Sequence, residues 1–286
     1  MLFVNLCMQG LLQGGIYALI AIGLTLVYGL LRILHVAHAG LYTLGGYIAV
    51  LVTNASGSFS LGLVTSMLFV GVVGMVIYRL IYQPILDKAP FVALIASIGL
   101  FIAMEEIYRI IFGPYGITFV APPLQGTFNF GGTYLRQCEV GTIILAAALI
   151  TGLTLFTRYS RIGIAWRATV TDAGMSQSFG VDVIKVRYLN FFIGSAMAAG
   201  AGSMVALMNN LVEPTMGSVP SYKALAIIVL GGLGNVRGTL IAALVIGIAE
   251  TFGTIYLGDY LDRDSIAFAF LILVLMVKPT GLFAKE

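Results

Sequence analysis

Charge is the scarcest property of this 286-residue chain: 9% of residues are Asp, Glu, Lys or Arg, against 59% hydrophobic. A soluble domain has about a quarter of its residues charged, so a soluble fold is excluded and an integral membrane protein is expected. The net charge of +3 is small, and the basic residues are spread over short loops. That distribution suits orientation in a bilayer and not nucleic-acid binding. Histidine is nearly missing: His35 and His38 are the only two, and without a CxxC they fall short of a zinc ligand set. Cysteine is as rare, and Cys7 and Cys138 lack metal-ligand spacing; Cys7 reads as a small buried hydrophobe. HExxH, GxSxG and G-x-x-x-x-G-K-[ST] are absent, so neither intramembrane hydrolysis nor Walker-type ATP binding is expected here. No catalytic residue, metal or cofactor is assigned. No cationic leader precedes Arg32, so the apolar N-terminus is expected to remain as a span.

What the chain has is long, mostly apolar runs, most of them near the ~20 residues that cross a bilayer. The expected spans cover 6–30, 36–52, 61–82, 91–112, 140–157, 188–209, 239–257 and 265–277. A further short apolar piece precedes Gly231, Gly232, Gly234 and Gly238, a cluster that breaks any helix. Irregular backbone at membrane depth survives only where protein buries it. The expected fold is an all-α, polytopic transmembrane helical bundle of about 8–9 spans, a single domain over 1–286.

Within these runs, Gly10 and Gly14 form a GxxxG face, and Gly194, Ala198 and Gly202 form a small-residue stripe that predicts close helix packing. His35 and His38 read as polar residues at a tight turn where helices meet. Glu105 and Arg109 are spaced as an i,i+4 pair. Residues 113–139 read as an irregular loop with short strands around 128–135. Glu250 is the one serious carboxylate for a coupling ion, which keeps ion-coupled secondary transport as an alternative.

The stretch 158–187 is the long polar interruption. It carries Arg158, Arg161, Arg167, Lys185 and Arg187 against Asp172 and Asp182. Thr169-x-x-Asp172 as a helix start and Gly180 as a stop predict a short helix over 170–179. Trp166, with Ile162 and Ile164, suits an interfacial anchor before it. Placing this stretch inside also places Arg32, Arg79, Lys88, Arg237, Lys278 and Lys285 inside and the loops 113–139 and 259–264 outside. The N-terminus is then outside and the C-terminus cytoplasmic, provided the short piece counts as a crossing.

Three blocks carry a family resemblance: ALIAIGLTLVYGLLRILHVAHAGLYTLGGYIA, RATVTDAGMSQSFGVDVIKVRYLNFFIGSAMAAGAG and KALAIIVLGGLGNVRGTLIAALVIGIAE. In this order they resemble permease subunits of branched-chain amino acid ABC importers, the LivH/LivM type, closer to LivH. The pattern departs at His35, Ala39-Gly40 and Asn235. The resemblance implies a type II ABC importer-like permease in a bacterial inner membrane, with urea, other amides or other amino acids as alternative solutes. It implies two cytoplasmic ABC ATPase subunits, a second homologous permease subunit and an extracytoplasmic substrate-binding protein. The ATPase-coupling residues would be Arg167, Thr169, Asp172, Met175, Gln177 and Gly180. The translocation path is expected near His35, His38, Gly231, Gly232, Gly234 and Glu250.

Overall fold

The computed structural model describes residues 2–130, 133–258, 260–278 and 281–282; Asp259 and Lys285, used above for orientation, lie outside them. The first uncharged run forms α1 (Leu2–Leu31), 30 residues and about 45 Å long at 1.5 Å per residue. Arg32, with φ +55°, turns the chain back. The next helix, α2 (His38–Ser56), does not start at the end of α1. A Cβ placed on Gly23 would lie 2.9 Å from His38 Nε2, so residues 32–37 climb back to mid-α1 before α2 begins.

Next comes α3 (Phe59–Ile77), prolonged by one π turn (Tyr78–Tyr82) and one 3-10 turn (Gln83–Ile85). Then α4 (Pro90–Phe112) starts with proline at its first position, where the missing N–H costs nothing. The polar loop contains an antiparallel hairpin, β1 (Thr127–Phe130) and β2 (Thr133–Arg136), with Phe128 opposite Leu135. The remaining helices are α5 (Gln137–Tyr159), α6 (Arg161–Thr171), α7 (Ala173–Ser178), α8 (Val183–Asn209), α9 (Ser218–Gly231), α10 (Val236–Leu257) and α11 (Arg263–Val277).

Among the described residues, 6 helices are long and apolar enough to cross a membrane: α1, α3 with its extension, α4, α5, α8 and α10. The expected count of eight to nine spans goes beyond these six: α2 has 19 residues but is not among them, and α9 has 14 and α11 has 15. The last two are about 21–23 Å long, short of the ~30 Å hydrocarbon layer.

Small residues set the centre of the bundle. Gly23 of α1 faces Gly194 of α8 so closely that a Cβ on Gly194 would sit 2.9 Å from the Gly23 carbonyl oxygen. Gly202 is held against the Tyr42 carbonyl of α2, and Ala199 against Gly45. Ala198 is wholly buried. On the other side of α1, a Cβ on Gly10 or Gly14 would meet the α10 backbone at 2.8 Å. Polar pairs lock the same contacts: Ser203 Oγ lies 2.8 Å from Ser66 Oγ of α3 and donates to the Gly45 carbonyl at 3.2 Å.

Hydrogen bonds define two ends. At one, Tyr188 donates to Gln83 at 3.0 Å and the Leu282 N–H donates to the Leu230 carbonyl at 2.7 Å. This end collects Arg32, Arg79 and Lys88. At the other, Asn54 donates to the Thr118 carbonyl, Ile117 pairs with Val212, and Arg136 donates to the Met208 carbonyl. The expected Glu105–Arg109 pair does not form. Arg109 instead pairs with Glu106 at 2.6 Å on the exposed face, while Glu105 accepts from the Ser218 hydroxyl at 2.6 Å, at the first residue of α9, where a carboxylate is favoured.

Candidate functional site

The polar stretch after α5 is built as two helices and not one. Ser160 opens α6 by accepting the Gly163 N–H at 2.8 Å. Asp172 then takes an extended conformation, φ −153° and ψ 107°, ending α6, and its Oδ1 accepts the Met175 N–H at 2.9 Å to start α7. An aspartate here competes with the helix for backbone donors and wins as a cap. The assignment of Thr169 as the helix start is thus corrected. Its hydroxyl donates to the Ala165 carbonyl at 2.8 Å within α6, and the residue is buried. The stop at Gly180 has φ +83°, and the Val181 N–H closes back on the Ser176 carbonyl at 3.1 Å, the left-handed ending that glycine permits. Asp182 then caps α8. The Lys185 N–H donates to its Oδ1 at 3.1 Å, and that bond holds its carboxyl below the usual range.

Trp166, expected as an interfacial anchor, is tied into the bundle. Its Nε1 donates to Asn190 Oδ1 of α8 at 3.0 Å, and Asn190 Nδ2 donates to the Leu26 carbonyl of α1 at 2.8 Å. One amide joins α6, α8 and α1. Outward from this strut, Arg167, Asp172, Gln177 and Gly180 are exposed, as are Met175 at 58% and Phe179 at 82%. Between α7 and the start of α8 lies a groove of about 440 Å³ lined in part by Gly174, Gln177, Ile184 and Arg187.

The second constellation was not foreseen. Lys223 of α9 contacts Glu250 Oε1 of α10 at 2.8 Å, Asp264 Oδ1 of α11 at 2.6 Å and the Tyr17 hydroxyl of α1 at 2.9 Å. Tyr17 in turn donates to Glu250 Oε2 at 2.8 Å, and Arg263 also pairs with Glu250. The Lys223 side chain is 4% exposed and that of Glu250 is 0%. Four helices meet at this neutral set of two cations and two carboxylates. Glu250 is paired with both Lys223 and Arg263 and is not a free carboxylate.

The six expected path residues lie in three separate places. His35 and His38 are buried in the core, with His35 Nδ1 2.6 Å from the Tyr82 hydroxyl and its ring 5.5 Å from that of Phe191. Gly231, Gly232 and Gly234 form the tight α9–α10 turn, where Gly232 and Gly234 have φ of +91° and +83°. Gly234 borders a cleft with Arg32 and Val170. Glu250 alone belongs to the ion cluster. Among the described residues, no group of three or more His, Cys, Asp or Glu is placed to hold a metal ion.

Comparison with known proteins gives a consistent set. The family described as branched-chain amino acid transport system / permease component matches residues 6–277. The high-affinity branched-chain amino acid transport system permease protein LivH of Salmonella typhimurium is 33% identical, covering 99% of this chain and 96% of that protein. The corresponding BraD of Pseudomonas aeruginosa is 32% identical over 97% of this chain and 94% of its own length. LivM of Salmonella typhimurium is 27% identical over 93% of this chain and 67% of its own length.

Proposed function

The chain belongs to the branched-chain amino acid transport system permease family, and from that premise we propose that it is the membrane subunit of an ATP-driven importer of these amino acids. The observation that carries the coupling part of the reading is the α6–α7 unit, which stands exposed between two long helices and is tied to the bundle through Trp166 and Asn190. Its outer surface, Arg167, Asp172, Met175 and Gln177, is offered to a groove on one of the two partner ATPases, with Gly180 closing the unit. Thr169, buried beneath it, holds the unit from inside.

The energetic logic follows from that connection. ATP-driven closure of two ATPase subunits moves α6–α7, and a ligand or partner shifts a conformational equilibrium only through contacts that differ between its states. The Trp166–Asn190–Leu26 bonds pass the displacement to α8 and α1, whose glycine contact at Gly23 and Gly194 lets two backbones slide with no side chain between them. The basic end is cytoplasmic, which satisfies the positive-inside rule. Six full spans with α2, α9 and α11 then make nine alternating elements, N-terminus out and C-terminus in, in a bacterial inner membrane. A second permease subunit, for which the likeness to both LivH and LivM is the support, completes the path. An extracytoplasmic binding protein delivers the solute.

The energy source tests this reading. With the ATPases, sister permease and binding protein co-reconstituted, leucine uptake is expected to persist when the proton gradient is collapsed and ATP kept high. Uptake that stops with the gradient while ATP remains would replace the proposal with secondary transport.

A further inference from the structure

We propose that a cleft beside the ion cluster, toward the end of the bundle opposite Arg32, is a subsite for the zwitterionic amino acid. Arg263 receives the carboxylate and Glu139 the ammonium, and Leu12, Leu135 and Ile255 form the wall for the aliphatic side chain. The inference rests on the permease reading above and adds the residues that touch the solute.

A polar stripe on an otherwise apolar helix marks the place. Asn5, Gln9, Gln13 and Tyr17 recur at every fourth position of α1, and so share one face. Amides facing hydrocarbon are costly, so this face is served by water or protein and not lipid. Gln9 and Gln13 line a partly open cleft of about 250 Å³ together with Glu139 of α5, Thr251 and Thr254 of α10, and Arg263 of α11. That is many times the ~10–15 Å³ that one water needs. The cleft is open because α9 and α11 are short: Lys223 and Asp264 lie early in each, at the depth of Tyr17, and of these two helices only Arg263, the first residue of α11, lines the space beyond. Gln13 stands one turn, about 6 Å, from Tyr17 toward the open side.

The charges are arranged for a zwitterion. Glu139 is fixed in place by the Arg136 backbone N–H at 2.9 Å and by Arg136 Nε at 3.0 Å, yet the residue remains only half-buried on the cleft side. Arg263 pairs with Glu250, but Glu250 is also held by Lys223 and Tyr17. The guanidinium, with five N–H donors and a side chain 47% exposed, therefore retains capacity for a second carboxylate. The ion cluster forms the floor, so a solute arriving from the binding protein stops on Arg263.

The test uses the reconstituted five-subunit complex in a Cys7→Ser, Cys138→Ser background. Gln13→Cys and Thr254→Cys are labelled from the binding-protein side with a small cationic methanethiosulfonate. Labelling is expected to cut leucine uptake about tenfold or more, and millimolar leucine to slow labelling more than 3-methylbutylamine or 4-methylpentanoate does. Arg263→Gln is expected to raise the KM for uptake about tenfold, the worth of one charge-assisted hydrogen bond, with Arg263→Lys intermediate. Full labelling with uptake unchanged, or no labelling in the assembled complex because the sister permease covers the cleft, overturns the subsite. If the complex with no substitution accumulates no leucine with ATP, the permease reading fails and the subsite with it.

Discussion

Trp166 Nε1 and Asn190 Oδ1 are 3.0 Å apart, and this contact is the lateral tie between the exposed α6–α7 unit and the centre of the bundle. Trp166→Phe keeps the ring and deletes the donor, leaving Asn190 half-satisfied at a cost of about 1–3 kcal/mol. The complex is expected to assemble and hydrolyse ATP, while leucine moved per ATP falls. Parallel uptake and phosphate-release assays on one preparation check this; an unchanged ratio would remove the strut from the mechanism.

Asp172 separates α6 from α7. Asp172→Ala loses a cap worth about 0.5–2 kcal/mol, whereas Asp172→Asn keeps an equivalent acceptor. Uptake is expected to drop for the alanine variant and to be restored by asparagine. Equal loss in both would mean that the negative charge, and not the cap, is what the ATPase partner reads.

The ion cluster predicts strong coupling between Lys223 and Glu250. Removing one member of a buried pair costs about 3–5 kcal/mol, so Lys223→Met and Glu250→Gln should each lower the thermal midpoint of the detergent-solubilised protein markedly. The double variant is expected to lose clearly less than the sum. A strictly additive double-mutant cycle would show that the two do not interact in the membrane-extracted fold.

Glycine contacts predict a contrast between two alanine substitutions. At Gly23 a Cβ would lie 2.7 Å from the Gly194 carbonyl oxygen, while at Gly99 nothing lies within 4 Å. Gly23→Ala should destabilise by about 1–3 kcal/mol through overpacking. Gly99→Ala should be neutral or stabilising by up to about 1 kcal/mol through helix propensity. Thermal midpoints of the two variants decide it.

The helices legible from sequence were those fixed by local chemistry. Long apolar runs located α1, α3, α4, α5, α8 and α10, and the glycine cluster located the α9–α10 turn. What escaped depended on distant partners. Lys223 is not singled out by the sequence, because its partner Tyr17 is 206 positions away and Arg263 reads as part of the loop 259–264. The start of α2 at mid-depth follows from how His38 packs beside Gly23, which no periodicity records. The tie from Trp166 to Asn190 escaped because that amide sits in an apolar helix. The stripe Asn5, Gln9, Gln13 and Tyr17 was visible, but an absence of charge in residues 1–31 concealed its polarity.

The central claim is that force enters through α6–α7, and the most direct measurement is binding-protein-stimulated ATP hydrolysis together with leucine uptake in proteoliposomes carrying Gln177→Trp. Gln177 is exposed on α7 and borders the groove beside α8, so the indole would obstruct an ATPase seated there without touching the core. The account predicts that stimulation and uptake fall together while the permease pair remains folded. Full stimulation and full uptake with tryptophan in place would contradict it.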